Sequence, residues 1–236
     1  MTIKLQEIFS SIQGEGMRVG EPSTFIRFTG CNLKCLDCDT KYSWKTAGTE
    51  MSIDFIVKEV KEKHYTNAFV ITGGEPMLQQ EALAQLVYAL KDAFPNSNIT
   101  IESNGSIRVD KDLPVFWSFS PKFESSTTCS HLADYKAAMK HNLEITKDRQ
   151  VKLLMEVFRG SSSFTKLVSD INKNDYSDVD VVVQPLIEFG EDVDGLELDK
   201  MKKLYKSVLN KISEINGLTC KSIRFVGQLH KVFKVE

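Results

Sequence analysis

Short β-branched or aromatic runs recur along this chain with segments of helical spacing between them, and that alternation constrains the fold more than any single residue does. Residues 23–29 (STFIRFT) read as a strand. Residues 52–63 put Ile53, Ile56, Val57 and Val60 on one face behind Ser52, which predicts a helix with a serine cap. Residues 68–72 form the next strand, Gly73, Gly74 and Pro76 punctuate, and 78–94 continues as an amphipathic helix ending before Pro95. The pattern repeats as strands 98–103 and 115–119, helix 131–142, strand 150–154, helix 163–172, strand 180–184, helix 198–215 and strand 222–226. Strands separated by helices imply βαβ crossovers and a parallel sheet. A complete eightfold barrel takes roughly 250 residues and about six such units are visible, so the expectation is an α/β fold with an incomplete (β/α)6-type parallel barrel. With no Pro/Gly/Ser-rich linker and no internal repeat, one domain over 1–236 is the economical expectation.

At 236 residues, 42% hydrophobic and 26% charged, the chain is too apolar to be disordered. Its formal net charge of −2 gives no basic field, so neither nucleic acid nor an anionic membrane is expected as a partner. No apolar run approaches a bilayer span and the first residues lack a signal-peptide pattern, which makes a cytoplasmic setting the default. The five cysteines are an odd number with three of them close together, which favours reduced thiols over a disulfide scaffold.

Those three are Cys31, Cys35 and Cys38, spaced C-x3-C-x2-C directly after the first strand. Thiolates select soft metals. Structural zinc would need a fourth ligand, from Cys129, His131, Cys220 or His64, and there is no second C-x2-C. A four-iron cluster on three thiolates leaves one iron without a protein ligand, the open position a catalytic metal keeps for substrate. Both this loop and Gly73–Pro76 fall at the carboxyl ends of strands, where parallel α/β folds place their sites.

The cysteine loop, followed at the end of the next strand by Thr72-Gly73-Gly74-Glu75-Pro76, resembles the radical S-adenosylmethionine superfamily. Within it, Ser11-Ile12-Gln13-Gly14-Glu15-Gly16, Gly20-Glu21-Pro22, Phe25-Ile26-Arg27-Phe28, Gly30-Cys31-Asn32-Leu33 and Cys38-Asp39-Thr40 resemble the 7-carboxy-7-deazaguanine synthase family. Glu102-Ser103-Asn104-Gly105, Ser120-Pro121-Lys122, Gln184-Pro185-Leu186 and Gln228-Leu229-His230-Lys231 extend that likeness along the chain. The resemblance implies a radical S-adenosylmethionine core with substrate-pocket extensions at both chain ends. It also implies a carbon–nitrogen lyase that contracts the ring of 6-carboxy-5,6,7,8-tetrahydropterin to 7-carboxy-7-deazaguanine, releasing ammonia, on the route to queuosine-type deazapurines. The implied cofactors are a [4Fe-4S] cluster on Cys31, Cys35 and Cys38, S-adenosylmethionine, and Mg2+ on Thr40. A flavodoxin or ferredoxin as electron donor and a homodimer are implied as partners.

By the same resemblance, Asp37, Cys38, Asp39, Gly73, Gly74, Glu102, Ser103, Ser120, Pro121, Lys122, Gln184, Pro185, Leu186 and Ile187 contact the cofactor. Ile12, Gln13, Gly14, Glu15, Arg27, Thr72, His230 and Glu236 contact the pterin. The side-chain chemistry is compatible: Arg27 offers a planar two-toothed donor to a carboxylate, and Thr40 a hard oxygen to magnesium. Ile12, Gln13 and Gly14 are expected in a Gly-flanked loop. Each position also has a structural alternative: an ion pair for Arg27, a helix cap for Thr40, a solvated charge for Glu15, strand ends for Pro121 and Pro185. Two other functions stand beside the synthase: a glycyl-radical activating enzyme, against which the Gln-Gly-Glu-Gly loop and Cys-Asp-Thr argue, and a zinc-stabilised binding module without catalysis.

Overall fold

A computed structural model describes residues 1–35, 38–45, 47–64, 66–122, 132–156, 169, 171, 173–174, 176–186, 202, 205–206, 210 and 218–229, with only the backbone of 132, 133, 155, 156, 185 and 186. The chain divides into two compact units, one of Met1–Gln13 and Glu21–Arg149, the other of Gly14–Gly20 and Gln150–Glu236.

The first unit is built on strands β1 (Thr2–Ile12), β2 (Pro22–Phe28), β3 (Thr49–Ser52), β4 (Ala68–Gly73), β5 (Asn98–Ser103) and β6 (Phe116–Phe119), in the order β3-β1-β2-β4-β5-β6. From β2 onward neighbours are parallel, as the alternation predicts, and β1 pairs antiparallel with both β2 and β3. Helix α1 (Ile53–Lys63) lies between β3 and β4 in the chain. Ser52 Oγ accepts from the Phe55 amide, so the expected cap is present, and Ile53, Ile56 and Val60 are buried. Between β4 and β5, the span read as one helix from 78 to 94 is a 3-10 turn (Pro76–Gln79) running into α2 (Gln80–Ala93). Pro76 takes the first position of that turn, where its missing N–H costs nothing. Helix α3 (Leu132–Ile145) follows β6. The paired residues Ile26, Ile71, Ile101 and Trp117 form one fully buried row across the four parallel strands.

The antiparallel pair was not expected from periodicity. Ile3 and Leu5 alternate with polar residues and are fully buried, but the register slips between Leu5 and Glu7, and the alternation ends there. Ile12, expected in a loop, is therefore the last residue of β1, paired with Pro22 and exposed. β3 is a four-residue edge strand with no buried residue and so leaves no apolar signature.

The second unit contains β7 (Arg149–Glu156), β8 (Tyr176–Leu186) and β9 (Cys220–Phe225), parallel and in that order. Val181, Val182 and Val183 are fully buried, as core residues should be. β8 runs beyond the expected end, so Gln184, Pro185 and Leu186 lie within the strand rather than after it. Only scattered residues of the expected helices 163–172 and 198–215 are described. No helix among the described residues is long and apolar enough to cross a membrane.

Asp180 on β8 accepts from Lys221 Nζ (2.8 Å) and Ser222 Oγ (2.6 Å) of β9. Desolvation raises its pKa, but those hydrogen bonds and the Lys221 and Arg224 charges outweigh it and hold the carboxyl below the ordinary aspartate value. A depressed acid stabilises the fold above its unfolded pKa and loses that contribution as pH falls through the folded value. Asp180→Asn should lower Tm at pH 7 and lose less stability than the parent on acidification below about pH 4. Thermal melts of both proteins at stepped pH check this.

Candidate functional site

Residues paired across a sheet share a face. Glu7 faces Arg27, Arg27 faces Thr72, and Glu102 faces Ser118. Thr72 Oγ1 closes the gap by donating to Glu102 Oε2 (3.2 Å). This polar row lies immediately before the carboxyl ends of β2, β4, β5 and β6, on the face opposite Ile26, Ile71, Ile101 and Trp117. One step back along the strands, Phe9, Phe25, Val70, Thr100 and Phe116 form a mostly apolar row, with Phe9 and Phe25 stacked at 4.9 Å. Gln13 Nε2 donates to Glu102 Oε1 (3.2 Å), so Glu102 joins two residues expected at the pterin, Gln13 and Thr72.

The cysteine loop leaves β2 through Thr29 and Gly30, and the Gly73-Gly74-Glu75 turn leaves β4 beside it. Gly74 N donates to Phe28 O (3.2 Å) and Glu75 N to Gly30 O (2.8 Å). A Cβ on Gly73, whose φ is +141°, would lie 2.2 Å from Phe28 O, and one on Gly74 would lie 2.1 Å from Gly30 O. The missing Cβ atoms thus let the backbones of the two motifs touch. Asn32 fastens the same loop to the residues after β5: its Nδ2 donates to Ser106 Oγ (2.8 Å), and its Oδ1 accepts from Asn104 Nδ2 (3.1 Å).

Cys31, Cys35 and Cys38 are half-buried free thiols. Burial pushes Cys31 up to about 11; the Leu33 amide opposes this, while Glu75, Cys35 and Cys38 add to it. A thiolate forms there at neutral pH only with a strong positive charge beside it, and a metal cluster supplies one. The donor set therefore fits an iron–sulfur cluster. Among the described residues, no three His, Cys, Asp or Glu side chains converge on a single ion; a four-iron cluster takes its thiolates on separate irons and needs no such convergence. Trp44 Nε1 donates to Cys38 Sγ (3.2 Å). The Thr40 hydroxyl caps no helix: it lies 3.6 Å from Cys38 Sγ, while the Thr40 carbonyl accepts from Ser43.

Around β5 and β6, Ser120 N donates to Ser103 O (2.8 Å) and Lys122 Nζ to Ser120 Oγ (2.9 Å). Tyr135 Oη accepts from Lys122 N and donates to Asn104 O (2.6 Å), so Ser103, Ser120, Pro121 and Lys122 stand together. Asp39 is exposed.

In the second unit, Glu15 is not a solvated charge. Its carboxylate pairs with Lys152 Nζ and accepts from Gln228 Nε2 (2.6 Å), and both partners of the ion pair are largely buried. Leu229 N donates to Gly14 O (3.0 Å) and Met17 N donates to Gln150 Oε1 (2.8 Å), so the Gly14–Met17 loop is tied to β7 and to Leu229. Lys152→Met should leave the Glu15 charge buried without its cation and lower stability by about 3 kcal/mol, the low end for a broken buried pair. Urea titration checks it. Gln184 is fully buried on β8, and neither its Oε1 nor its Nε2 has a hydrogen-bond partner among the described residues. Such an amide is costly unless a ligand satisfies it. Asp37, Ile187, His230 and Glu236 lie outside the described residues.

A family model described as a 4Fe-4S single cluster domain matches residues 12–110. The 7-carboxy-7-deazaguanine synthase of Halobacterium salinarum is 40% identical over 126 residues, which are 53% of this chain and 48% of that protein. That of Aquifex aeolicus is 27% identical over 238 residues, 99% of this chain and 94% of that protein. The chain is thus similar to 7-carboxy-7-deazaguanine synthases, over its whole length at low identity and over about half of it at higher identity. It spans about half the length of several synthases it matches at higher identity, such as the one from Halobacterium salinarum. The crystal structure of QueE from Escherichia coli shares the fold, with a TM-score of 0.64 at 22% identity over 97% of this chain and 94% of that one. The structure of anSMEcpe with bound AdoMet superposes at a TM-score of 0.55 and 16% identity, covering 83% of this chain and 61% of its own. The incomplete-barrel α/β fold expected from the sequence is the fold of these structures.

One residue of the family motif was not singled out from sequence. Glu75 is completely buried and accepts from Met77 N (3.0 Å), Ser103 Oγ (2.9 Å) and Asn104 N (2.7 Å). Desolvation raises its pKa against the lowering effect of those donors and of Lys122. It fixes the end of β5 to the turn after β4, a role no spacing rule announces.

Proposed function

We propose that this chain catalyses the radical ring contraction of 6-carboxy-5,6,7,8-tetrahydropterin to 7-carboxy-7-deazaguanine with release of ammonia. The observation that carries the reading is the backbone junction of Gly74 and Glu75 with Phe28 and Gly30, which sets the three-cysteine loop beside the polar row of Arg27, Thr72 and Glu102. The name shared by its relatives supports the same activity.

On this reading Cys31, Cys35 and Cys38 hold a [4Fe-4S] cluster, and Gly73, Gly74, Ser103, Ser120, Lys122 and Gln184 serve S-adenosylmethionine. The bound pair supplies a 5′-deoxyadenosyl radical. The chain's own work is orientation and exclusion of water. Arg27 offers N–H donors to the substrate carboxylate. Gln13 and Thr72, held by Glu102, offer polar groups to the pterin edge, and Glu15 offers carboxylate oxygens as acceptors. Phe9, Phe25, Val70 and Phe116 supply the apolar wall that keeps water from the reacting centre. The Thr40 hydroxyl, uncommitted to a cap, suits Mg2+, an ion that keeps several waters and takes few protein ligands. A low-potential flavodoxin or ferredoxin, a homodimer and a cytoplasmic setting complete the proposal.

The test is anaerobic turnover by the cluster-reconstituted protein with S-adenosylmethionine, Mg2+ and the carboxytetrahydropterin. Product with the mass of the deazaguanine acid and stoichiometric ammonia is expected. Intact substrate recovered beside reductively cleaved S-adenosylmethionine would overturn the assignment of substrate.

A further inference from the structure

Arg27 is held from three sides. Its Nε donates to Glu7 Oε1 at 2.8 Å, and its guanidinium lies 5.4 Å from the Phe9 ring centre and 5.8 Å from that of Tyr42. Tyr42 Oη donates to the same Glu7 oxygen at 2.9 Å. The Arg27 side chain is 13% exposed, so the arrangement is not a loose surface pair. Phe9 and Glu7 come from β1, two residues apart on one face, while Tyr42 comes from the turn that follows the cysteine loop.

A guanidinium has five N–H donors, in a planar fork. Glu7 takes the Nε edge; the Nη1 and Nη2 groups make no hydrogen bond among the described residues. Left to itself, Arg27 would lose rotamer entropy on engaging a ligand; held by one edge beside two rings, it has lost that freedom already. We propose that Glu7 and Tyr42 are positioning residues that present the Nη edge of Arg27 to the substrate's carboxylate, and so set the preference for a carboxylated pterin. This rests on the proposed substrate role of Arg27.

The test is a set of anaerobic binding measurements on the cluster-reconstituted protein with S-adenosylmethionine, using the carboxytetrahydropterin and a tetrahydropterin lacking the 6-carboxylate. Arg27→Ala should weaken the carboxylated ligand by about 100-fold, the scale of a charge-assisted hydrogen-bond pair, and leave the other within about twofold. Glu7→Ala should weaken the carboxylated ligand by about tenfold and Tyr42→Phe by about threefold, again sparing the uncarboxylated one. Neither should add to the loss already present in Arg27→Ala. Equal weakening of both ligands by Glu7→Ala and Tyr42→Phe, or losses that add to that of Arg27→Ala, would overturn the positioning role. If Glu7→Ala does not fold, Tyr42→Phe decides alone. If Arg27→Ala itself binds the carboxylated ligand normally, the substrate role of Arg27 fails, and the positioning role falls with it for that separate reason.

Discussion

Replacing any one of Cys31, Cys35 and Cys38 with alanine is expected to abolish turnover, a loss of at least about a millionfold if the radical chemistry supplies the whole rate enhancement. The fold should survive. The three side chains are half-buried rather than core, so the variants lose little packing. Cys38→Ala is the one with a structural cost of its own, because it removes the acceptor of the Trp44 indole N–H; about 1 kcal/mol is expected. Iron and sulfide content after anaerobic reconstitution, with thermal melts of the metal-free proteins, separates the two effects. Activity retained by a variant without a cluster would remove the radical reading.

Gly74→Ala is expected to lower activity by about a hundredfold or more although it removes no side-chain atom from the site. The added Cβ would meet Gly30 O at 2.1 Å, Gly30 C at 2.6 Å and the Cys31 Cβ at 2.9 Å. Two of these neighbours are backbone and the third is the root of a cluster ligand, so relief requires the cysteine loop to move. Displacing a reacting group by about 1 Å costs roughly that factor in rate, and forcing atoms into a packed junction costs about 1–3 kcal/mol. Gly20→Ala is the control. Gly20 also has a positive φ, +92°, but a Cβ there meets nothing within 4 Å, so it carries backbone strain without the clash. Cluster content and kcat should fall for the first variant and hold for the second.

The parallel half of the fold was legible because its strands obey simple rules. β5 has the bounds expected from its β-branched run, and α1 begins at the serine that caps it. β1 escaped because a register slip after Leu5 breaks the alternation that would have announced it, and β3 because an exposed edge strand of four residues buries nothing. The candidate site was legible as residue types and only partly as contacts. Arg27, Thr72 and Gln13 belong to one polar row or its neighbours, yet that Glu102 links two of them depends on sheet register, which spacing does not contain. Glu15 read as a charge available to ligand or solvent; its partners Lys152 and Gln228 lie far away in sequence. Glu75 is the clearest case. An acidic residue between glycine and proline carries no sign that it will be fully buried and will fasten two strand ends together.

A four-iron cluster on Cys31, Cys35 and Cys38, with one iron left open to S-adenosylmethionine, is what the proposed chemistry depends on. Mössbauer spectra of the 57Fe-reconstituted protein, recorded anaerobically with and without S-adenosylmethionine, test it most directly. The account predicts four irons per chain, one of which changes its isomer shift when S-adenosylmethionine is added. Four irons that do not respond, or a protein that takes up zinc and no cluster, would contradict it.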